Sequence, residues 1–217
     1  MPGRPGISRS ASNWAWALAL ACACAWAEPG VPEPALQGEA LARALQGGGY
    51  VIFFRHADTG PATPDPQPVD LSRCETQRNL NDNGRAQAKS IGEQFKRLRI
   101  PVGQILVSEF CRCRQTAELA FGRYEQTAVL TGRGRGASAQ QARSEASHGL
   151  RALLSSVPAA GTNSVLVSHG FNLMDLEGFL LATQGEAAIF RPDGRGGYAL
   201  VARIVPEEWA RLPGPGG

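Results

Sequence analysis

Three short apolar runs, each ending abruptly in polar residues, constrain this chain more than any other feature. VIFF at 51–54 follows Gly47, Gly48 and Gly49 and runs into Arg55 and His56. QILV at 104–107 ends at Ser108, and SVLV at 164–167 ends in Ser168, His169 and Gly170. Short apolar runs without alternation read as strands buried on both faces, the signature of a parallel sheet covered by helices. Helical patterns fill the intervals. After a candidate cap at Asn81, residues 82–99 space Ala88, Ile91, Phe95 and Leu98 on one stripe. Residues 112–121 form the next helix, stopped by Gly122. Residues 140–157 carry Ala142, Ala146, Leu150, Leu153 and Val157 at helical spacing. The alternation predicts an α/β three-layer sandwich with a mainly parallel sheet. Ligands bind such sheets beyond the carboxyl ends of the strands, where Arg55, His56, Arg112 and His169 are expected together.

The remaining segments follow from local chemistry. Residues 35–45 present Leu36, Ala40, Leu41, Ala44 and Leu45 as a short amphipathic helix. Residues 60–68, with prolines at 61, 64, 66 and 68, can be neither helix nor central strand, and predict a surface loop over the first strand end. Residues 70–80 are irregular. Residues 124–130 read as a strand, 131–138 as a solvated basic loop lacking phosphate-loop spacing, and 172–181 as a helix. Residues 186–190 and 198–205 form a hairpin-like pair, antiparallel at a sheet edge. Residues 206–217 form a C-terminal tail whose last stretch, LPGPGG at 212–217, reads as disordered.

Residues 1–27 have the form of a secretory signal peptide: Arg4 and Arg9, an apolar stretch, then Ala25-Trp26-Ala27 as a cleavage site. The expected organisation is signal peptide 1–27, lead-in and helix 28–48, main domain 49–205 and tail 206–217. The apolar stretch is short for a bilayer span, so no permanent membrane anchor is expected. Cys22 and Cys24 raise a lipoprotein alternative, but neither has a large aliphatic residue three places upstream. Of the 22 basic residues, losing Arg4 and Arg9 leaves 20 against 19 acidic ones, a balance that offers nucleic acid no bulk attraction. An exported chain, periplasmic or secreted, would meet oxidising conditions with Cys74, Cys111 and Cys113. An odd count favours one bridge, from Cys74 to Cys111 or to Cys113; three buried thiols are the alternative. Cys111 and Cys113 have no second pair at metal-ligand spacing, and neither metal nor cofactor is expected.

Two imidazoles beside two guanidinium groups suit phosphoryl chemistry. Guanidinium forks match phosphoryl oxygens, and a neutral imidazole can hold phosphorus covalently between two displacements. The residues also resemble a family. Arg55-His56-Ala57, SEFCRCRQTA at 108–117, Ser168-His169-Gly170 and NLNDNGRAQA at 79–88 are similar, in order, to the motifs of the histidine phosphatase superfamily, the phosphoglycerate-mutase-like group. The similarity runs from about residue 49 to 205. It implies the phosphoglycerate-mutase-like fold, His56 as phosphorylated nucleophile, Arg55, Arg112 and His169 as the rest of the phosphate pocket, and Thr59 as a phosphate contact. Ala57 stands where the family has Gly, and Glu109 where it has Pro.

In that family the proton donor is an Asp or Glu of variable position. Glu145, Asp175 and Glu186 are candidates, with Glu186 favoured because an antiparallel final pair would start it on the catalytic side. Asn172 could touch substrate or cap a helix, and His148 is read as structural or exposed. A bridge from Cys74 to Cys111 would fix the loop carrying Arg112. The expected function is an exported, metal-independent phosphomonoester hydrolase acting on a small phosphorylated substrate. The alternative is a catalytically weakened phospho-ligand binding protein, suggested by the acid at Glu109 and by the unassigned proton donor. A serine hydrolase on Ser168 lacks the G-x-S-x-G elbow.

Overall fold

In the computed structural model, the described residues are 1, 3, 35–61, 63–132 and 139–216. The predicted signal peptide, the Pro-rich lead-in and most of the 131–138 loop lie outside them. All described residues from 35 onward belong to the unit Val31–Gly217; the other unit, Met1–Gly30, holds the remaining two.

The three apolar runs form adjacent strands. β1 (Val51–Arg55), β2 (Val102–Val107) and β4 (Asn163–Ser168) lie in the order β2-β4-β1, all parallel. The two-residue β3 (Glu125–Gln126) extends the parallel part beyond β2. On the other side, β5 (Ala187–Pro192) and β6 (Tyr198–Ile204) complete the order β3-β2-β4-β1-β5-β6, β5 being antiparallel to β1 and β6 to β5. This is the predicted mainly parallel sheet with an antiparallel edge. Strand geometry splits β1 between two cores, since successive side chains point to opposite faces. Ile52 and Phe54 pack with Leu41 and Leu45 of α1 (Gly38–Gly47), Ile91 and Phe95 of α2 (Asp82–Arg97) and Ala117 of α3 (Cys111–Phe121). Val51 and Phe53 pack with Leu150 and Leu154 of α4 (Ala139–Ser155) and Leu173 of α5 (Gly170–Glu177).

The helix starts obey the sequence chemistry. The Asn81 side chain accepts from the Gly84 amide at 2.7 Å and caps α2 as expected. Gly84 is required by close approach, because a Cβ there would stand 1.9 Å from the Asp58 carbonyl oxygen. The first turn of α2 is thereby pressed against the chain just past β1.

Several expectations are corrected. α1 begins at Gly38, and its buried residues are Leu41, Ala42 and Leu45, with Ala40 exposed. α4 ends at Ser155, so Leu154 takes the core position and Val157 is exposed. The 124–130 strand is only β3, followed by a 3-10 turn over Ala128–Leu130 whose Thr127 side chain accepts from the Val129 amide. α5 occupies Gly170–Glu177 rather than 172–181, because Gly178 adopts a left-handed cap. The tail is held at the start of the stretch expected to be disordered, since Leu212 is buried. Pro206–Arg211 forms a 3-10 turn that buries Trp209 completely, its ring 5.9 Å from Phe54 and 5.0 Å from Phe95. Arg97 donates to the carbonyls of Trp209 and Leu212 and closes the segment onto α2. Aromatic burial here outweighs the flexibility of the flanking Pro and Gly residues.

Trp209→Ala is expected to destabilise the domain by about 3–5 kcal/mol, the usual cost of emptying a buried aromatic site. Urea unfolding measures it, and a change of a few tenths would mean the turn is only loosely docked.

Candidate active site

The parallel order β2-β4-β1 brings the three polar strand ends to one edge of the sheet. There they open into a cavity of about 860 Å³ lined by Arg55, His56, Arg112, His169 and Asn172. The four residues nominated from the motifs are thus brought together. His56 and His169 follow neighbouring strands, their rings 5.6 Å apart.

The backbone just past β1 is tied down on several sides. The His56 amide donates to the Ser168 carbonyl at 2.9 Å. The Ala57 amide donates to Thr116 Oγ1 at 3.0 Å, and that hydroxyl donates to the Arg112 carbonyl at 2.7 Å, which links the residue after His56 to the helix bearing Arg112. Ala57 is fully buried and does not have a positive φ, so its Cβ in place of the usual glycine adds no backbone strain. Gly170, by contrast, allows a close pass: a Cβ there would stand 2.5 Å from the Leu181 carbonyl oxygen.

Hydrogen bonding assigns the proton on His56. Nδ1 lies 2.9 Å from the Ala57 carbonyl oxygen, which can only accept, so Nδ1 carries the proton and Nε2 keeps its lone pair. Burial, then Arg112, push the pKa of His56 down to about 3, despite the opposing Ala57 bond. Burial and then Arg112 likewise hold His169 well below the ordinary histidine range. Ser108 Oγ accepts from the Phe110 amide and lies 3.0 Å from His169 Nε2, where its hydroxyl can donate. That assignment puts the His169 ring proton on Nδ1.

The cationic side is larger than the sequence suggested. Arg55 Nη1 donates to the carbonyls of Leu181 and Ala182, which fixes the guanidinium at the rim. Arg112 stacks over Phe110 at 4.1 Å. A third guanidinium, Arg78, also lines the cavity. Its Nε and Nη1, and Nε of Arg112, are buried without a hydrogen-bond partner among the described residues. Buried donors of that kind suit an oxyanion with several acceptor oxygens. Sequence reasoning missed Arg78 because it lies in an irregular stretch; its one signal was its place just before the NLNDNG motif. Asp65, in the Pro-rich loop, was missed too, and it accepts from Arg112 Nη1.

Other nominated residues lie elsewhere. Thr59 is buried, but its hydroxyl donates to Gln184 Oε1 at 2.7 Å and it does not line the cavity. Glu186 does begin on the strand-end side, its carbonyl accepting from the Arg55 amide. Its carboxylate, however, is buried against Arg203, which donates through Nε at 3.0 Å, and accepts from the Thr183 amide. Glu145 is exposed on α4 and accepts from Gln141. Asp175 lines a separate small cavity, and His148 is exposed. Glu109 does not itself line the main cavity and accepts from the hydroxyl of Thr131, which does, at 3.0 Å. The Ser168 hydroxyl donates to the Leu130 carbonyl at 2.5 Å and is not positioned as a nucleophile. Asn172 lines the cavity while donating to the same carbonyl. Among the described residues no cluster of three or more metal-ligating side chains occurs, and no helix is long and apolar enough to cross a membrane.

Cys74 and Cys111 form a disulfide with Cα atoms 5.6 Å apart, and Cys113 is a buried thiol pushed up to about 12 by burial. The bridge joins the loop before Arg78 to the residue beside Arg112, and so braces both guanidinium groups.

Comparison with known proteins agrees with this architecture. The profile of the Histidine phosphatase superfamily (branch 1) matches residues 51–133, from β1 past the Arg112 motif. The structure of the protein histidine phosphatase SixA complexed with tungstate is 20% identical, with a TM-score of 0.52 over 73% of this chain and 98% of that one. A proposed alpha-ribazole-5'-P phosphatase from Escherichia coli is 15% identical, with a TM-score of 0.50 over 70% of this chain and 94% of that one. No curated protein matches. The chain therefore has the fold of these phosphatases, and its residues 51–133, which hold three of the four motifs, match that superfamily's profile.

Two outcomes are expected. Because the folded pKa of His56 lies below its unfolded value, its contribution to stability is present above about pH 6.5 and is lost as pH falls toward about 3. Nitrogen chemical shifts of His56 and His169 should show neutral rings from about pH 5 to about 8, and titration near 6.5 would contradict the burial argument. Separately, replacing Cys74 and Cys111 by Ala removes a link between positions 37 apart, worth about 4 kcal/mol on the chain-entropy estimate. Denaturant midpoints of oxidised protein and of the variant measure that loss.

Proposed function

We propose that the protein is an exported, metal-independent phosphomonoester hydrolase that works through a phosphohistidine on His56. The observation that carries this reading is a neutral imidazole with its Nε2 lone pair available, in a cavity that three guanidinium groups also line. Export is supported by the form of residues 1–27 and by the Cys74–Cys111 bridge, since disulfides persist in oxidising compartments.

The chemistry follows from the placement. A phosphomonoester brings its phosphoryl oxygens to Arg55, Arg78 and Arg112, whose N–H groups neutralise the charge that otherwise repels a nucleophile. His56 Nε2 attacks phosphorus, the P–N bond forms and the ester P–O bond breaks, releasing the alcohol. The Nδ1 bond to the Ala57 carbonyl steadies the ring as it becomes charged. Water then attacks phosphorus, the P–N bond breaks, and inorganic phosphate leaves. His169, with its proton on Nδ1, can donate to a phosphoryl oxygen in both steps. The tungstate in the SixA complex is consistent with an oxyanion site in this fold.

The binding-protein alternative keeps one of its two motives, the unassigned acid, while Glu109 does not itself line the cavity and is held by the Thr131 hydroxyl at its edge. Turnover of p-nitrophenyl phosphate separates the two readings. The wild type should hydrolyse it, and His56→Ala should lose activity by at least about 10³-fold while still binding vanadate. Arg78→Ala should lower kcat/KM by about 10-fold or more, because it removes donors to the phosphoryl oxygens. A wild type that binds vanadate without turnover would favour the binding protein.

A further inference from the structure

We propose that Asp65 is the proton donor to the leaving oxygen, and the base for the water that follows. The inference rests on the phosphohistidine reading above and supplies the acid that the strand-end motifs leave unassigned. Asp65 is the one carboxylate among the described residues lining the cavity. Its two oxygens lie 3.1 Å from Arg112 Nη1, and Oδ1 also accepts from the Arg78 amide at 2.8 Å. The side chain is only 11% exposed. The acid therefore sits on the same guanidinium that a phosphoryl group would take.

That overlap gives the carboxylate its chemistry. When phosphoryl oxygens take Arg112 Nη1, the carboxylate gives up that hydrogen bond and stands beside the phosphoryl group. From there the carboxyl group reaches the ester oxygen, and the proton it delivers is drawn from solvent. As the ester P–O bond breaks, the carboxyl proton passes to the departing oxygen and the product is an alcohol. The resulting carboxylate then accepts a proton from the attacking water as the P–N bond breaks, and the carboxyl group is regenerated. The loop is built to hold the residue close. Prolines on both sides of Asp65 limit the backbone, the Gln67 side chain donates to the Asp65 carbonyl, and the Gln77 side chain anchors the end of the loop by donating to the Asp70 carbonyl. The other nominated carboxylates are committed elsewhere or outside this cavity.

The test compares wild type and Asp65→Asn on p-nitrophenyl phosphate and on ethyl phosphate. Nitrophenolate departs without a proton, whereas an alkoxide needs one. The proposal expects kcat/KM to fall about 10²-fold or more for ethyl phosphate and less than about 10-fold for the nitrophenyl ester, with partial recovery in Asp65→Glu. The far-ultraviolet circular dichroism and thermal midpoint of Asp65→Asn, measured beside wild type, show that the variant is folded. Equal losses on both esters would overturn the assignment and leave Asp65 as a structural partner of Arg112. A gain on both would overturn it in favour of a carboxylate that only blocks the phosphate site. A wild type inactive on both esters would overturn the phosphatase reading, and this assignment with it.

Discussion

The site depends on keeping two imidazoles uncharged among three guanidinium groups. Burial and the cations act in the same direction on His56, which is why its pKa falls to about 3 rather than drifting near neutrality. A protonated His56 would add a fourth cation and would have no lone pair for phosphorus. The cations that suppress that proton are the groups suited to receiving the phosphoryl oxygens. One electrostatic arrangement therefore keeps the His56 lone pair free and favours an anion beside it.

The fold supplies that arrangement through close backbone contact rather than through long side-chain networks. Parallel pairing sets Arg55 opposite Ser168 and so puts His56 beside His169. Gly84 lets α2 press on Asp58, and Gly170 lets α5 start against the Leu181 carbonyl. Thr116 joins the Ala57 amide to α3, so His56 and Arg112 are referenced to the same few atoms. The Cys74–Cys111 bridge then braces the irregular segment carrying Arg78 against the start of that helix. Each feature explains a motif residue by what it touches: the glycine of NLNDNG, the threonine of RQTA and the glycine after His169.

The central strands were legible because burial on both faces leaves an uninterrupted apolar run, and such a run ends visibly at its polar residue. The α2 stripe was legible because Ala88, Ile91, Phe95 and Leu98 repeat at the helical period, and all four are buried. What escaped depended on contacts between segments distant in sequence. Cys111 and Cys113 could not be told apart in the string, yet two residues apart on a helix they lie roughly 200° around its axis. One therefore meets Cys74, while the other enters the core. Trp209 was hidden because Pro and Gly on either side of a turn look the same in a docked segment as in a loose one. Asp65 and Arg78 lie in stretches without periodicity, and only the folded path of the Pro-rich loop brings them to Arg112. Glu186 was placed on the correct side of the sheet, but Arg203, across the β5–β6 pair, engages its carboxylate.

The central claim is that His56 becomes covalently phosphorylated. Rapid acid-free quenching of the wild-type protein with a radiolabelled phosphomonoester, followed by peptide mapping, tests it most directly. The account predicts a base-stable, acid-labile label confined to the peptide containing His56 and chased off by unlabelled substrate. Turnover with no labelled intermediate under those conditions, or a label on any other residue, would contradict it.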